Sequence, residues 1–472
     1  MTIQSLSYLL FVVLVWIAIW PLRSARSRQA LLLVASYLFY ATLGIGFLGV
    51  LVASSIMNYA LGAMMRRRPT AERLWISVAL NVLLLLVFKY LPQTAMGLPV
   101  GPASSLLPKI IMPVGVSFWT FQALSYLFDL YREEELDPSL MEFCLYMAFW
   151  PTVLSGPVCR LPEMLPQFRQ TARPAWDDVA QGTRRIVIGL FMKVVLAQLL
   201  ATGFNAGEGV AAGFDQIARG WGGIDVWMLA VGFGFQLFFD FAGYSHIVIG
   251  TARLFGIRLE ENFNRPYFSV TPSAFWTRWH MSLSFWIRDY VFLPLVMARR
   301  EKWWRSFALV FAMALFGLWH EATLLFLIWG TYQGFLLVAH RRGQQLKRTL
   351  NFASPRYVGG FLSWALTFAL ISLGWIFFRA NDLGQALLML KAVVWPASYF
   401  QLALRPNFYI VTSMIVCGYF AYVGLESLMS RIGDNLWARR AFRLLSPVYY
   451  ATAIFLIIVW SRQETVFVYF QF

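Results

Sequence analysis

The sequence predicts an all-α polytopic membrane protein. Of its 472 residues 59% are hydrophobic and only 13% charged, and the mean hydropathy is +0.61. Apolar runs of about 18–22 residues recur from end to end, the length an α-helix needs to cross a hydrocarbon core. The runs do not alternate and are too long for the strands of a membrane barrel. The formal net charge of +16 would point to nucleic acid in a soluble protein. Here the basic residues cluster between the apolar runs, which is the positive-inside pattern, so a lipid bilayer is the expected partner and nucleic acid is not. Cys144, Cys159 and Cys417 are widely spaced and imply neither a disulfide framework nor a metal site.

Taken in order, Leu6–Leu22 has no basic stretch before it and reads as a transmembrane helix, not a cleaved signal. Ala30–Leu43 and Phe47–Met65 form a hairpin broken at Gly44 and Gly46 and followed by Arg66, Arg67, Arg68 and Arg73. Leu74–Leu91 returns, Pro92–Pro108 is a loop, and Ile111–Tyr131 crosses again. Met141–Gly156 is short and stops at Ser155-Gly156-Pro157, so it reads as re-entrant. Ile186–Phe204 and Asp225–Leu254 are the next spans. Residues 253–305 hold nine Arg/Lys against four acids. Within them Thr271–Tyr290 mixes aromatic and basic residues at helical spacing, which predicts one helix in the membrane interface.

Phe307–Leu318 and Leu324–Val338 then pair, and the basic stretch Arg341–Arg348 follows. Phe361–Phe378, Phe408–Leu428 and Val448–Trp460 complete the spans, with an amphipathic piece at Leu383–Val394. The Arg/Lys bias puts residues 66–73, 253–305 and 431–443 in the cytoplasm, and residues 92–110, 205–223, 381–406 and both termini outside. No repeat or soluble domain is evident, so residues 1–472 read as a single integral-membrane domain.

Between the paired runs lies Phe316-Gly317-Leu318-Trp319-His320-Glu321-Ala322-Thr323. An ionisable residue at membrane depth costs roughly 2.5–3.5 kcal/mol even on the lenient insertion scale, which makes it a functional candidate. A neutral imidazole with a pKa near ~6.5 can take and return a proton at physiological pH. The structural alternative is a histidine hydrogen-bonded between helices. The other histidines are His246, His280 and His340. His340 abuts Arg341 and Arg342 and reads as a helix-end residue. Asp240, in the same span as His246, needs a buried partner, expected to be an arginine of the 253–305 segment. Arg278, His280, Ser282, Ser284, Arg288 and Asp289 form a dense polar cluster. No phosphate loop, nucleophile elbow or HExxH motif is present.

The order of motifs resembles the membrane-bound O-acyltransferase (MBOAT) family in its bacterial branch. That branch holds alginate O-acetyltransferases, related polysaccharide and peptidoglycan acetyl-transfer proteins, and the teichoic-acid D-alanyl transferase. The matching stretches are Pro113-Val114-Gly115-Val116-Ser117-Phe118, Ser155-Gly156-Pro157, Leu165-Pro166-Gln167-Phe168 and Glu261-Asn262-Phe263-Asn264-Arg265-Pro266-Tyr267. They continue through Phe275–Tyr290, Gly317-Leu318-Trp319-His320, Trp375-Ile376-Phe377-Phe378-Arg379-Ala380 and Tyr469-Phe470-Gln471-Phe472.

The resemblance implies a ring of about 10–12 transmembrane helices, with re-entrant and interfacial helices around a central tunnel. It implies catalytic roles for His320 and His280. Arg278, Arg288, Ser282 and Asn262 are the expected donor-binding residues, and Asp240, Trp319 and Asp289 their expected support. No resident cofactor is implied. The donor substrate is acetyl-CoA, another acyl-CoA or an acyl-carrier thioester, and the location is the bacterial inner membrane. A periplasmic or membrane-anchored acyltransferase partner is also implied, with Leu383–Val394 offering it a docking surface. Two residues depart from the alginate-type pattern: Glu321 stands where glycine is usual and His246 where aspartate is usual. On a continuing helix Glu321 would point about ~100° away from His320. The alternatives are D-alanyl transfer from a carrier protein, and a transporter relaying protons through His320, Glu321 and Asp240.

Overall fold

The structure, a computed structural model, describes residues 1–91, 112–204, 207–216, 220–350, 356–431 and 436–461. Several of its helices start where side-chain oxygens satisfy the first free N–H groups. Ser5, Ser24 and Thr70 accept from the N–H of Tyr8, Ser27 and Arg73 and open α1 (Leu6–Ile19), α2 (Ala25–Ala41) and α4 (Ala71–Tyr90). Between them α3 spans Ile45–Arg67. Then come α5 (Val116–Tyr131), α6 (Leu140–Ala148), α7 (Leu161–Phe168) and α8 (Trp176–Thr202). The short α9 (Val210–Asp215) precedes the long α10 (Gly223–Leu254). Next are α11 (Pro272–Trp276), α12 (Met281–Ala298), α13 (Lys302–His320) and α14 (Leu324–Thr349). The described chain ends with α15 (Arg356–Arg379), α16 (Leu383–Val394), α17 (Pro406–Arg431) and α18 (Leu436–Trp460).

Among the described residues, seven helices are long and apolar enough to cross a membrane: α3, α4, α8, α10, α12 and the bulk of α15 and α17. Several other runs that read as spans form shorter helices. For example, α2 has 17 residues and α5 has 16. The C-terminal motif and the 92–110 loop lie outside the described residues.

The chain forms two compact units. The first holds Met1–Ile186, Ser245–Asn262 and His280–Met297. Here α3 and α4 pack on α5, which is buried along nearly its whole length. Gly115 starts α5 at φ +83°, and a Cβ there would fall 2.1 Å from the carbonyl oxygen of Val153. Only glycine fits both demands, which is why the Pro113–Phe118 motif carries it. The short run before Pro157 becomes α6, nine residues fixed by a reciprocal cap between Ser139 and Glu142.

The second unit holds Val187–Tyr244, Phe263–Trp279 and Ala298–Phe472. Its centre is the α13–α14 hairpin. A Cβ on Gly317 would lie 2.1 Å from the Phe326 carbonyl oxygen, and one on Gly330 would lie 2.2 Å from that of Met313. The two backbones therefore touch, as small residues allow in apolar surroundings. In the same unit Lys193, on a π-helical stretch of α8 (Phe191–Ala197), ion-pairs with Asp240 on α10, and their side chains are 4% and 6% exposed.

Two expectations are corrected here. Thr271–Tyr290 is not one helix: the chain breaks between Trp276 and Met281, and His280 itself has a left-handed backbone, φ +43°. Asp240 takes Lys193 as its partner, not an arginine of the 253–305 segment. Asp240→Asn removes the counter-charge of a buried ammonium. It should lower the unfolding free energy by about 3–5 kcal/mol, whereas replacing both partners (Lys193→Met with Asp240→Leu) should restore most of the loss. Thermal unfolding in detergent checks both, and equal damage from the single and double changes would rule out the pair as the cause.

Candidate functional site

In the first unit the chain break delivers His280 to a buried polar cluster. His280 and Asn262 are 1% and 0% exposed. Asn262 holds the C-terminal end of the break: its carbonyl oxygen accepts from Met281 N–H at 2.9 Å, and its Oδ1 lies 3.0 Å from His280 Nδ1. The same Oδ1 accepts from Ser282 Oγ at 3.0 Å and from the Ser282 backbone N–H at 3.3 Å. A backbone N–H can only donate, so the amide atom facing it is the oxygen. His280 Nδ1 therefore carries its proton toward Asn262, and Nε2 carries the lone pair. Ser282 Oγ in turn accepts from Val158 N–H at 3.0 Å, and Asn262 Nδ2 donates to Ser245 Oγ at 3.3 Å. Phe118 of the Pro113–Phe118 motif stacks on the imidazole at 6.4 Å.

Asn262 and Ser282, expected to bind the donor, are both buried and hydrogen-bonded to each other, and Asn262 is also bonded to His280. Asp289 accepts from Arg160 at 2.7 Å and from Arg288 at 2.6 and 3.1 Å, and Arg288 also lies over the Phe285 ring.

In the second unit His320 is the last residue of α13 and is 5% exposed. Five aromatic rings enclose it, with centroid distances of 4.9 Å to Phe316, 4.8 Å to Trp319, 6.0 Å to Phe326, 5.5 Å to Trp329 and 5.2 Å to Phe378. Trp319 is part of the box wall. Glu321 has extended backbone, φ −153°, so it leaves the helix and does not continue its face. Phe326 and Trp329 were not singled out from sequence. Their i, i+3 spacing just after the hairpin turn is the signal that places both on one face of α14.

Also in this unit, Arg278 lines a cleft of about 480 Å³ with Asn264, Arg265, Phe268, Ser427 and Leu428. Arg265 is left-handed, φ +47°, and pairs with Glu426 at 2.9 Å. Arg278 makes no ion pair among the described residues.

Seven helices of membrane length among the described residues mark a multi-pass membrane protein. The family model of MBOAT, the membrane-bound O-acyltransferase family, matches residues 32–380. The chain belongs to that family and is a membrane-bound O-acyltransferase. It is 32% identical over 447 residues to a probable alginate O-acetylase of Pseudomonas aeruginosa, covering 91% of this chain and 83% of that one. It is 33% identical over 398 residues to a peptidoglycan O-acetyltransferase of Helicobacter pylori, covering 77% and 73%. A teichoic acid D-alanyltransferase of Streptococcus thermophilus is 33% identical over 252 residues, covering 50% and 59%. Membership in this family sets aside the transporter reading.

Asn262→Ala removes the acceptor that fixes the His280 ring. Misplacing a reacting group by about 1 Å costs on the order of 10²-fold in rate, so transfer should fall by that order while the protein stays monodisperse in detergent. A rate within threefold of wild type would show that Asn262 does not position His280 for the reaction.

Proposed function

We propose that this acyltransferase moves an acetyl group from acetyl-CoA, or a similar acyl thioester, to an extracytoplasmic hydroxyl. The hydroxyl belongs to a cell-surface polysaccharide or to a partner protein that passes the acetyl group on. The observation that carries the reading is His320, an imidazole enclosed by five aromatic rings at a helix end. Such surroundings exclude the water that would waste the thioester. His320 takes the hydroxyl proton, the oxygen attacks the thioester carbonyl, and the imidazolium returns the proton to the departing sulfur. His280 Nε2 bears a lone pair, which suits accepting a proton and not polarising a carbonyl.

Acetyl is favoured over D-alanyl because the acetyl-named relatives align over 91% and 77% of the chain and two D-alanyl relatives over 50% and 65%. The cleft at Arg265 and Arg278 suits the phosphates of the donor. A periplasmic or membrane-anchored acyltransferase is the proposed partner, docking near α16, where Leu387, Leu388, Val394, Trp395 and Phe400 are exposed.

Membranes carrying His320→Ala should transfer label from radiolabelled acetyl-CoA to polysaccharide about 10²–10⁴-fold more slowly than wild type. Wild-type transfer by well-inserted His320→Ala protein would remove the proposed base.

The proposed location is the bacterial inner membrane, with both termini outside and the basic segments in the cytoplasm. In a Cys417→Ala background, Ala211→Cys should react with an impermeant maleimide on intact cells. Gly343→Cys, in open space, should react only after permeabilisation. The opposite pattern would invert the topology.

A further inference from the structure

The reaction proposed for His320 puts negative charge on the acyl oxygen, and that charge needs a donor. The box walls are mostly hydrocarbon, but Trp319 and Trp329 carry indole N–H groups. Trp329 is 1% exposed, and its Nε1–H has no hydrogen-bond partner among the described residues. Its ring meets the His320 ring edge to face, at 5.5 Å and 81°. Phe378 and Phe316 hold the same ring at 5.1 and 5.6 Å, and Trp375 lies at 6.0 Å. The indole is thus clamped on several sides.

A buried polar group without a partner is unusual in a folded protein and calls for an explanation. In apolar surroundings, leaving a donor unmade forfeits the whole hydrogen bond. The neighbouring Trp276 has the same feature: it is 7% exposed, its Nε1–H has no partner among the described residues, and its ring lies 5.9 Å from that of Trp329. Trp276 and Trp329 therefore bring rigid donors into one aromatic cluster, and the Trp329 ring is in contact with the imidazole.

We propose that the Trp329 indole N–H is the oxyanion donor of acyl transfer, with Trp276 as its neighbour in a dry, preorganised site. The proposal rests on the reading of His320 as the general base. As the acceptor hydroxyl gives its proton to His320, its oxygen bonds to the acyl carbon. The carbonyl π pair moves onto the acyl oxygen, where the Trp329 N–H meets it. When that pair returns, the carbon–sulfur bond breaks. The thiolate takes the proton back from the His320 imidazolium, which restores the neutral base. A donor held by packing costs no reorganisation at the moment charge develops, so its contribution appears in kcat more than in KM.

The test compares Trp329→Phe with wild type in membranes supplied with acetyl-CoA and polysaccharide. Loss of one oxyanion donor lowers kcat by about 10²–10³-fold, and KM for acetyl-CoA should stay within about threefold. Phenylalanine also shrinks the ring, so the same constants are measured with 3-benzothienylalanine at position 329, which keeps the bicyclic outline and replaces N–H by sulfur. It should behave like Trp329→Phe. A second readout is the carbonyl stretch of acetyl-CoA, ¹³C-labelled at the carbonyl, bound to the His320→Gln protein. It should lie lower in frequency than in the same protein that also carries Trp329→Phe.

An unchanged kcat with the benzothienyl side chain, or an unshifted carbonyl band, overturns the donor role. The separate loss of activity in His320→Ala would still leave the base in place in that case. Full activity of His320→Ala would instead overturn the reading on which the proposal rests.

Discussion

A polar group buried in hydrocarbon must find its partner inside the protein, and the organisation of this chain follows from that demand. Lys193 and Asp240 would each be prohibitive alone in the apolar helices that carry them; they are paired. The break before α12 would leave Met281 N–H and Ser282 N–H without helical partners, and Asn262 accepts from both. Gly317 and Gly330 bring α13 and α14 into backbone contact, so the turn carrying His320 is anchored without bulky side chains between the helices. Both histidines thus stand where regular helix stops.

The two imidazoles live in different surroundings. His280 is held by directional hydrogen bonds that fix its tautomer. His320 is held by ring contacts, which fix position and exclude water. That contrast fits a reaction in which the acceptor hydroxyl supplies the proton and the aromatic walls supply dryness.

Much of the helical content was legible because apolar runs and capping residues are local signals. Leu383–Val394 and the α13–α14 hairpin were found from spacing alone. The break between α11 and α12 was not. Aromatic and basic residues from 271 to 290 keep a helical period, and only a tertiary contact, Asn262 reaching across, makes the left-handed backbone of His280 worthwhile. Lys193 was overlooked as a partner because its apolar run reads as a span despite the charge. The candidates for the donor divided in a similar way. Arg278 lines a cleft, whereas Asn262 and Ser282 are buried in one hydrogen-bonded cluster, a distinction that depends on burial and not on residue type.

The central claim is that His320 activates an oxygen nucleophile against an acyl thioester. Release of CoA thiol from acetyl-CoA by the purified protein in detergent tests it most directly, because it needs neither the polymer nor a partner. The account predicts slow, steady release by wild type and a rate about 10²-fold or more lower in folded His320→Ala protein. Equal release by the two proteins would contradict it.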